Sequence, residues 1–510
     1  MEAATSRKLF DIEPLRTQLA EERTAGRRIV LCHGVFDLVH PGHIRHLETA
    51  ARLGDRLVVS VTPDRYVNKG PGRPVFTERL RAESIAALSC VDYVVINAWP
   101  NAVETITRLR PDRYVKGSDY TDPAQDVTGQ IAAEVAAVEA VGGQAVFTDE
   151  LTFSSTNLIN QFFFPYPDAA AEFLQTHRQQ QTLAALRTAI EAFADLRVLV
   201  VGDVILDEYH YCSPLGKSLK GEVINTRSLS TEMFAGGVLA AANHVANFCK
   251  RVDVAGYLGE ERTHESFIRH HLKPNIQPHL FYRKGMTTIL KRRYVEPRYL
   301  RKFFEISYLA DPTTPIDDDT QLAAFLHRAA PEYDVVLVTD FGHNTISAEA
   351  IAILDQQARF LAVNAQTNSA NIGFNLVTKY PRADYICIDE LEARLALHAR
   401  GRPLDELIVA LQEWFHARYV TITHGYQGCV IYSPTEGVCR VPALTNTVVD
   451  TLGAGDAFLA ISSLCATHNL PAAQLGLIGN AAGAMHVGEV GNRAAVEKVG
   501  LLKFLHSLLG

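Results

Sequence analysis

The sequence of 510 residues has no long hydrophobic run and no dense tract of lysine or arginine. No stretch approaches the roughly 20 apolar residues that a membrane-spanning helix needs. The charged segment 1–28 lacks the apolar core of a signal peptide, so we expect neither an anchor nor a leader. A net charge of −8 without a basic tract argues against nucleic acid as a partner.

Cysteine is also sparse. The eight cysteines are scattered and show neither a CxxC pair nor the spacing of metal ligands. This distribution favours reduced thiols over disulfides or a zinc site, and it predicts a cytoplasmic protein. The chain is long enough for two domains or more, and its 47% hydrophobic and 21% charged residues are ordinary for a globular protein.

The most informative stretch is Gly34–His43, which reads GVFDLVHPGH. It follows an apolar run, Ile29–Cys32, that predicts a buried strand, and it precedes a predicted helix with Pro41 in its first turn. His40 and His43 are therefore expected on one face of a helix N-terminus, where free N–H groups and the helix dipole favour phosphate. Two imidazoles there can donate hydrogen bonds to charge that develops on a phosphate during transfer.

The residue types around the two histidines add to this signal. A glycine at position 34 lets a ligand approach the backbone closely, and Asp37 can fix the turn or meet a ribose, an amine or a metal. Together with Phe36, this combination resembles the signature of the cytidylyltransferase-like nucleotidyltransferases, which join a nucleotide to a phosphorylated alcohol or sugar and release pyrophosphate. The resemblance implies that Gly34, Phe36 and Asp37 contact the nucleotide and that His40 and His43 are catalytic. The alternative is a purely structural histidine pair.

Further apolar runs alternate with helical patterns along the first 150 residues. This alternation predicts a parallel sheet covered on both faces, with ligands beyond the carboxyl ends of its strands. The predicted strands after the first are 56–62, 93–96 and 113–116, and the clearest predicted helices are 10–22 and 77–88.

Three later segments resemble the adenylyltransferase half of bifunctional ADP-heptose synthases. The resemblance implies that Lys69 and Lys116 grip phosphates and that Ser154, Ser155 and Thr156 hold the nucleotide at a helix N-terminus. A plain helix cap is the alternative for the hydroxyl cluster, and a solvated loop lysine is the alternative for Lys69. The segments that carry the resemblance are 69–95, 114–120 and 152–157.

The second half of the chain contains a different phosphate motif, Asp450–Phe458, which reads DTLGAGDAF. The glycines free the backbone to curl its N–H groups around an anion at the start of a helix. Asp456 lies where a carboxylate can take a proton from a sugar hydroxyl that attacks a γ-phosphate. The stretch resembles the signature of ribokinase-like sugar kinases, which implies that Gly453, Ala454 and Gly455 bind phosphate and that Asp456 is the base.

Other marks of the sugar kinases accompany this motif. The pair Gly236 and Gly237 resembles the glycine pair that contacts the sugar in that family. An asparagine usually follows this pair closely, but here the nearest one is Asn243, several residues later. A turn-capping role is the alternative for Asp203. The residues that the resemblance assigns to the sugar are Asp203, Asp207, Gly236, Gly237 and Asn243.

The resemblance also implies a metal. Asp389 and Glu392 stand in the sequence Asp-Glu-Leu-Glu where the family carries an Asn-x-x-Glu motif that organises magnesium near the phosphates. Magnesium is the expected ion for both reactions. A phosphorylated sugar also needs cations, and the candidates, most of which we expect to be surface charges, are Lys217, Lys220, Arg292, Arg293 and Lys302.

Taken together, the two halves resemble the bifunctional ADP-heptose synthases in inverted order. We expect an α/β protein with a Rossmann-like nucleotidyltransferase domain at 1–165, a linker and helix at 166–195, and a ribokinase-like domain with a small β-lid at 196–510. The implied reactions are ATP-dependent phosphorylation of a heptose 7-phosphate at its anomeric hydroxyl and adenylyl transfer to the sugar 1-phosphate. The expected partners are a phosphosugar, a nucleotide and a second copy of the chain.

Two alternatives stay open. One keeps both activities but uses CTP in the transferase, or another phosphosugar, because the motifs report the reaction better than the base. The other makes the second domain a sugar-binding or regulatory module without catalysis, as the late Asn243 and the aspartate at position 389 would allow.

Overall fold

The computed structural model describes residues 6–67, 69–117, 130–148, 166–178, 183–219, 221–309 and 320–509. The chain forms two compact units, one made of Met1–Pro165 with Leu502–Gly510 and the other of Tyr166–Leu501. Among the described helices, none combines the length and the apolar character that crossing a membrane requires.

In the first unit, the described strands form one parallel sheet in the order β1-β4-β3-β2-β5-β6. The strands are β1 (Leu9–Phe10), β2 (Ile29–Gly34), β3 (Arg56–Val61), β4 (Tyr93–Ile96), β5 (Arg113–Gly117) and β6 (Gln144–Thr148). The helices that precede or connect them are α1 (Ile12–Thr24), α2 (Pro41–Ala51), α3 (Glu78–Ala86), α4 (Val103–Leu109) and α5 (Ile131–Ala140).

Helices cover both faces of this sheet, as the sequence predicts. Side chains alternate along a strand, so Val30 and Cys32 of β2 pack with residues of α2 and α3. Ile29 and Leu31 point the other way and pack with residues of α1, α4 and α5. Burial on both faces explains why β2 reads as an unbroken apolar run, and its central place puts the turn after Gly34 in the middle of the sheet's carboxyl edge.

In the second unit, the described strands form two sheets. The larger sheet contains β7 (Arg197–Gly202), β10 (Arg251–Glu261), β11 (Ile276–Thr287), β14 (Val335–Asp340), β15 (Leu361–Ala365), β16 (Tyr385–Asp389), β17 (Tyr419–Thr423), β18 (Cys429–Ser433) and β19 (Gly437–Val441). The smaller sheet contains β8 (Val204–Lys217), β9 (Ile224–Gly237), β12 (Ile289–Glu296) and β13 (Arg301–Tyr308).

The remaining described helices follow in chain order. They are α6 (Asp168–Arg178), α7 (Leu183–Ala192), α8 (Val238–Ala246), α9 (Glu265–His271), α10 (Thr320–Ala329), α11 (Ala348–Gln357), α12 (Glu390–Ala396), α13 (Leu404–Phe415), α14 (Ala454–Thr467), α15 (Ala472–His486) and α16 (Lys498–Leu509). The last helix begins in the second unit, and its residues from Leu502 belong to the first.

The larger sheet is parallel from β11 to β17 and ends in the antiparallel strands β18 and β19. Residues of α10, α11 and α13 form its core on one face. On α14, every residue from Asp456 to Ala466 is buried, and this helix packs against α8, α15 and the strands β14 and β16. The smaller sheet has the order β13-β12-β8-β9 and corresponds to the predicted lid, so the predicted α/β fold with a Rossmann-like and a ribokinase-like part is confirmed.

Candidate active sites

In the first unit, His40 caps helix α2 with its own ring. Its Nδ1 accepts a hydrogen bond from the backbone N–H of Gly42 at 3.1 Å. Because Nδ1 accepts, the proton of the neutral ring lies on Nε2, which is buried and has no hydrogen-bond partner among the described residues. His43 stacks on this ring with a centroid distance of 4.0 Å, and the ring of Phe36 meets His43 edge-on at 5.4 Å.

Burial keeps both imidazoles neutral at pH 7. It lowers the pKa of His40 and, helped by the positive charge of Lys69, lowers the pKa of His43 to about 3. A neutral imidazole still donates one N–H to a phosphate oxygen, although it brings no charge of its own. The positive charge at this edge of the sheet therefore has to come from other residues.

The turn between β2 and α2 is strained. Phe36 and Leu38 both have positive φ, 53° and 58°, which is costly for residues with a Cβ. Phe36 is buried, and a Cβ on Gly34 would lie 3.1 Å from its ring, tighter than ordinary packing. Gly34 therefore leaves room for Phe36, and Phe36 supports the ring of His43.

Asp37 fixes the next loop of the site. Its carboxylate accepts hydrogen bonds from the N–H of Val75 at 2.9 and 3.0 Å and from the N–H of Phe76 at 3.3 Å. The guanidinium of Arg73 lies 3.6 Å from the same carboxylate, and both side chains are buried. Of the roles that the sequence leaves open for Asp37, these contacts support the structural one.

Arg81 binds the surrounding loops together, a role that sequence reasoning missed. It is 1% exposed, and its guanidinium donates to the carbonyls of Val35, of Thr62 at 2.8 Å and of Phe76 at 2.9 Å, and to the Asp64 carboxylate at 2.7 Å. Its acceptors belong to the loops after β2 and β3 and the loop before α3. No local pattern announces this role, because the acceptors are distant in sequence.

Lys69 supplies positive charge close to the histidines. Burial, together with the nearby cations Arg73, Lys503 and Arg81, lowers its pKa to about 8. The charge of Lys69 in turn lowers the pKa of His43. The charge of Lys69 therefore acts beside the histidine turn, and the phosphate contact predicted for it stays a prediction.

Lys116 is engaged elsewhere. Its Nζ lies 3.2 Å from the carboxylate of Glu134, both side chains are nearly buried, and it donates to the carbonyl of His33 at 3.4 Å. Glu134 also accepts a hydrogen bond from the hydroxyl of Tyr114 at 2.8 Å. This buried ion pair supports a structural role for Lys116, and the phosphate contact predicted for it stays a prediction.

The predicted hydroxyl cluster, Ser154, Ser155 and Thr156, lies outside the described residues. Its assignment to the nucleotide stays a prediction.

In the second unit, Asp456 lies in the first turn of α14. Gly453 caps that helix with φ 81°, and a Cβ there would overlap the side-chain oxygen of Asn492 and lie 2.5 Å from Nε2 of His486, so the position requires glycine. A Cβ on Gly455 would meet open space. The N–H of Ala454 donates to the carbonyl of Thr451 at 3.4 Å. The phosphate roles predicted for Gly453, Ala454 and Gly455 stay predictions.

The surroundings of Asp456 suit a proton acceptor. The side chain is 6% exposed, and its Oδ1 has no hydrogen-bond partner among the described residues. Burial and the negative charge of Asp207 raise its pKa to about 7, while the positive charge of Lys291 opposes the rise. A carboxylate with this pKa can both accept a proton and release it near neutral pH.

Lys291 is the second functional candidate that the sequence reasoning missed. It pairs with Asp207 in the register between β12 and β8, so the two residues share a face of the smaller sheet. Its ammonium group lies 5.8 Å from the centre of the Phe341 ring, and its charge also lowers the pKa of His343. A lysine beside two other basic residues in the sequence gave no signal that distinguished it.

Asp203 and the glycine pair form one arrangement at the end of β7. Oδ2 of Asp203 accepts a hydrogen bond from the N–H of Phe341 at 2.7 Å, whereas its buried Oδ1 has no partner among the described residues. A Cβ on Gly237, which has φ 56°, would lie 2.5 Å from the Asp203 carbonyl, and one on Gly236 would overlap the Asp207 carboxylate. The glycines thus make room for the two aspartates. The loop contact supports the turn-fixing alternative for Asp203 and leaves one oxygen for a ligand.

Asn243 does not have its amide available for a sugar. Its Nδ2 donates to the carbonyl of His271 at 3.0 Å, and its Oδ1 accepts from the N–H of Lys273 at 3.1 Å. Asn243, His271 and Lys273 line a cavity of about 450 Å³, but both ends of the Asn243 amide already form hydrogen bonds to backbone groups. The expected sugar contact is therefore corrected to a structural one.

Asp389 and Glu392 form a reciprocal helix cap. The Asp389 carboxylate accepts from the N–H of Glu392 and the Glu392 carboxylate accepts from the N–H of Asp389, each at 2.8 Å, while the second Glu392 oxygen accepts from the N–H of Thr367 at 2.9 Å. Burial and the charges of Asp389 and Asp456 raise the pKa of Glu392 to about 8. These contacts support a helix-capping role for both residues, and the magnesium role predicted for Asp389 and Glu392 stays a prediction. No group of three or more metal-ligating side chains occurs in the described ranges.

The basic candidates named from the sequence hold surrounding acids. Arg293 pairs with Asp207 and with Glu305 at 2.8 Å, and Lys302 lies 2.7 Å from Asp450. Arg292 pairs with Glu208, Lys217 lies 2.9 Å from Glu222, and Lys220 lies outside the described residues.

The geometry of the two sites agrees with two family matches. Residues 31–161 match the cytidylyltransferase-like family, and residues 195–499 match the pfkB family of carbohydrate kinases. Two curated relatives, both described as bifunctional protein HldE, come from Syntrophotalea carbinolica and Bradyrhizobium diazoefficiens. The first is 41% identical over 157 residues, covering 30% of this chain and 31% of the relative. The second is 44% identical over 162 residues, covering 31% of each.

The chain thus spans about a third of the length of the curated relatives that it matches. Among solved structures, the Arabidopsis thaliana ribokinase complexed with ribose and ATP is 17% identical, with 61% of this chain and 99% of that chain covered and a TM-score of 0.47. The phosphofructokinase-2 from Escherichia coli in complex with potassium is 12% identical, with the same coverage and a TM-score of 0.49. Since the carbohydrate-kinase match spans well over half of the sequence, the chain belongs to the pfkB family of carbohydrate kinases.

Proposed function

We propose that the chain is a bifunctional enzyme of sugar-nucleotide synthesis. Its second unit phosphorylates a phosphosugar with ATP, and its first unit transfers a nucleotidyl group to a sugar 1-phosphate and releases pyrophosphate. The observation that carries the proposal is that one chain holds two groups suited to phosphate chemistry, each at a helix N-terminus. They are the stacked His40 and His43 at α2, and Asp456 at α14.

In the kinase reaction, Asp456 accepts the proton of the attacking sugar hydroxyl. Its pKa of about 7 makes it a stronger base than an ordinary aspartate, and its buried Oδ1 has no hydrogen-bond partner among the described residues. The N-terminus of α14 stabilises the negative charge of the transferring phosphoryl group. Lys291 adds a positive charge beside the base on the lid side.

In the transferase reaction, the sugar phosphate is already a nucleophile, so neither a base nor a covalent intermediate is needed. His40 and His43 donate hydrogen bonds to the α-phosphate and to the leaving pyrophosphate while charge develops there. Lys69 supplies the positive charge that the neutral imidazoles lack. Asp37 and Arg81 hold the loops that carry these groups.

The substrates we propose are a D-glycero-D-manno-heptose 7-phosphate for the kinase and ATP with the heptose 1-phosphate for the transferase, giving ADP-heptose. Support comes from the two relatives described as bifunctional HldE, which match about a third of their length. CTP in place of ATP and a different phosphosugar remain alternatives for the same chemistry.

Three further proposals follow from this function. Magnesium arrives with the nucleotide phosphates, because the described residues offer no dedicated cluster for it. The chain works in the cytoplasm, which agrees with its eight free cysteines. It forms a homodimer, for which the exposed apolar side chains of the smaller sheet, such as Ile224 and Phe304, offer surface.

Two substitutions in the full-length protein test the two activities. We expect His43→Ala to lower nucleotidyl transfer by on the order of 10², the scale for one lost transition-state donor, and to leave sugar phosphorylation unchanged. We expect Asp456→Asn to do the reverse. The measurements are pyrophosphate release from ATP or CTP with sugar 1-phosphates, and ATP consumption with a panel of sugar phosphates.

A matched control is Asp405→Asn, which makes the same change at an exposed carboxylate and should alter neither rate. Normal pyrophosphate release by His43→Ala would contradict the histidine assignment. A parent protein that consumes no ATP with any sugar phosphate would leave the second unit a non-catalytic sugar-binding module. Loss of both activities in a normally melting Asp456→Asn would contradict the independence of the two sites.

A further inference from the structure

The end of the last helix is an unexpected part of the first unit. Residues Leu502–Gly510 cluster with Met1–Pro165, although the two family matches end at residues 161 and 499. Phe504 and Leu505 are 0% and 1% exposed, so this segment contributes to the core of the unit. Neither family match accounts for these residues.

Phe504 packs on the loop that carries Lys69. A Cβ built on Gly70 would overlap the ring of Phe504, so the ring lies directly against the backbone of that glycine. The preceding residue, Lys503, is close enough to Lys69 for its charge to lower the Lys69 pKa. Phe504 of helix α16 therefore contacts the loop at Gly70, and the adjacent Lys503 brings its charge near Lys69.

The same loop is tied to the histidine turn at its other end. Asp37 accepts hydrogen bonds from the N–H groups of Val75 and Phe76. The charge of Lys69 acts on His43, which places the lysine beside the stacked imidazoles. With Asp37 at one end and Phe504 at the other, the loop holds Lys69 at the edge of the sheet where the phosphates would bind.

We infer that Lys503 and Phe504 are positioning residues of a polyphosphate-binding site in the first unit: Phe504 holds the Lys69 loop in place, and Lys503 adds positive charge beside Lys69. The site takes the triphosphate of a nucleotide or inorganic pyrophosphate, because clustered cations bind such oxyanions through charge-assisted hydrogen bonds. The inference rests on the proposed nucleotidyl transfer and extends it to a segment outside both family matches.

The test uses the full-length protein and inorganic pyrophosphate. The rate of Lys69 acetylation is followed by mass spectrometry across pH, with and without pyrophosphate. In Lys503→Met, removal of the neighbouring cation should move the midpoint of Lys69 acetylation to higher pH, and protection should need on the order of tenfold more pyrophosphate, a change of about 1.4 kcal/mol. Lys503→Arg keeps the charge and should restore both values.

Phe504→Ala should weaken protection as well, because the loop loses its support, while sugar phosphorylation by the second unit stays at the parent rate. The matched control is Lys498→Met, which removes a lysine from the same helix where its charge acts on Cys249 in the second unit. It should change neither the acetylation midpoint nor the protection.

The inference is overturned if Lys503→Met melts normally and retains both the parent midpoint and the parent protection, whatever the fate of Phe504→Ala. It is also overturned if pyrophosphate does not protect Lys69 in the parent protein. Protection without any nucleotidyl transfer would instead contradict the proposed function and leave the polyphosphate site standing, so the two failures are distinguishable.

Discussion

Replacing the proposed base of the kinase should make the second unit more stable. Asp456 is buried beside Asp207, and its carboxylate oxygen Oδ1 has no hydrogen-bond partner among the described residues. Folding therefore disfavours the charge that catalysis needs. Asp456→Asn keeps the size of the side chain, removes the charge and abolishes the base.

The size of the effect follows from the pKa. In the folded protein burial raises the pKa of Asp456 from its ordinary value of 3.8 to about 7. At 1.36 kcal/mol for each pKa unit, the ionised side chain costs the folded state about 4 kcal/mol above pH 7. The sign is that of a raised acid: the cost is absent below pH 3.8, grows as the pH rises, and is complete above pH 7. The asparagine variant carries no charge at this position, so this cost is absent at every pH.

The assay is denaturant unfolding of parent and variant between pH 4 and pH 8, followed by a probe in the second unit. We expect the two proteins to agree near pH 4 and the variant to be more stable by several kcal/mol at pH 8, with sugar phosphorylation lost. Parent kinase activity should rise with pH through about 7, because only the ionised carboxylate accepts a proton. A stability difference that does not change with pH would refute the raised pKa, and an active variant would refute the base.

Two other predictions concern residues around this site. Lys291→Met should lower sugar phosphorylation by on the order of tenfold to a hundredfold, the scale for one electrostatic contact, and should move the activity midpoint to higher pH, because Lys291 opposes the rise in the Asp456 pKa. Asp389→Ala should lower the stability of the second unit by about 1 kcal/mol in urea unfolding, since it removes one half of the helix cap. The magnesium requirement of its kinase activity should not change, and an increase would support the predicted metal role.

Sequence patterns predicted the parts of the fold that depend on neighbours along the chain. The run Ile29–Cys32 forms β2, and Pro41 begins α2 as expected. The predicted helix 77–88 forms α3 over Glu78–Ala86. These predictions agree with the structure because strand burial and helix starts are set by local periodicity and capping residues.

Roles that depend on distant partners could not be read from the sequence. Lys116 lies at the end of a strand, as a phosphate ligand would, but the structure shows it in a buried ion pair with Glu134. In the sequence, Arg81 looks like any other arginine of a helix. Its role became apparent only from the structure, where its acceptors lie on three loops. The helix cap formed by Asp389 and Glu392 is different, because it could be predicted from the sequence. An N-cap residue such as aspartate followed three positions later by glutamate is a local capping signal.

Both sites keep their reactive groups uncharged or nearly so, and in each a lysine acts on the group. The charge of Lys69 lowers the pKa of His43, and the charge of Lys291 lowers that of Asp456. A bound polyphosphate offsets the charge of the lysine that it meets, so its arrival should raise the pKa of the neighbouring group. In the transferase a higher pKa lets the ring of His43 become protonated more readily, so that it can add positive charge beside the departing phosphate. In the kinase it makes Asp456 a stronger base, so each nucleotide would prepare the group that acts on it.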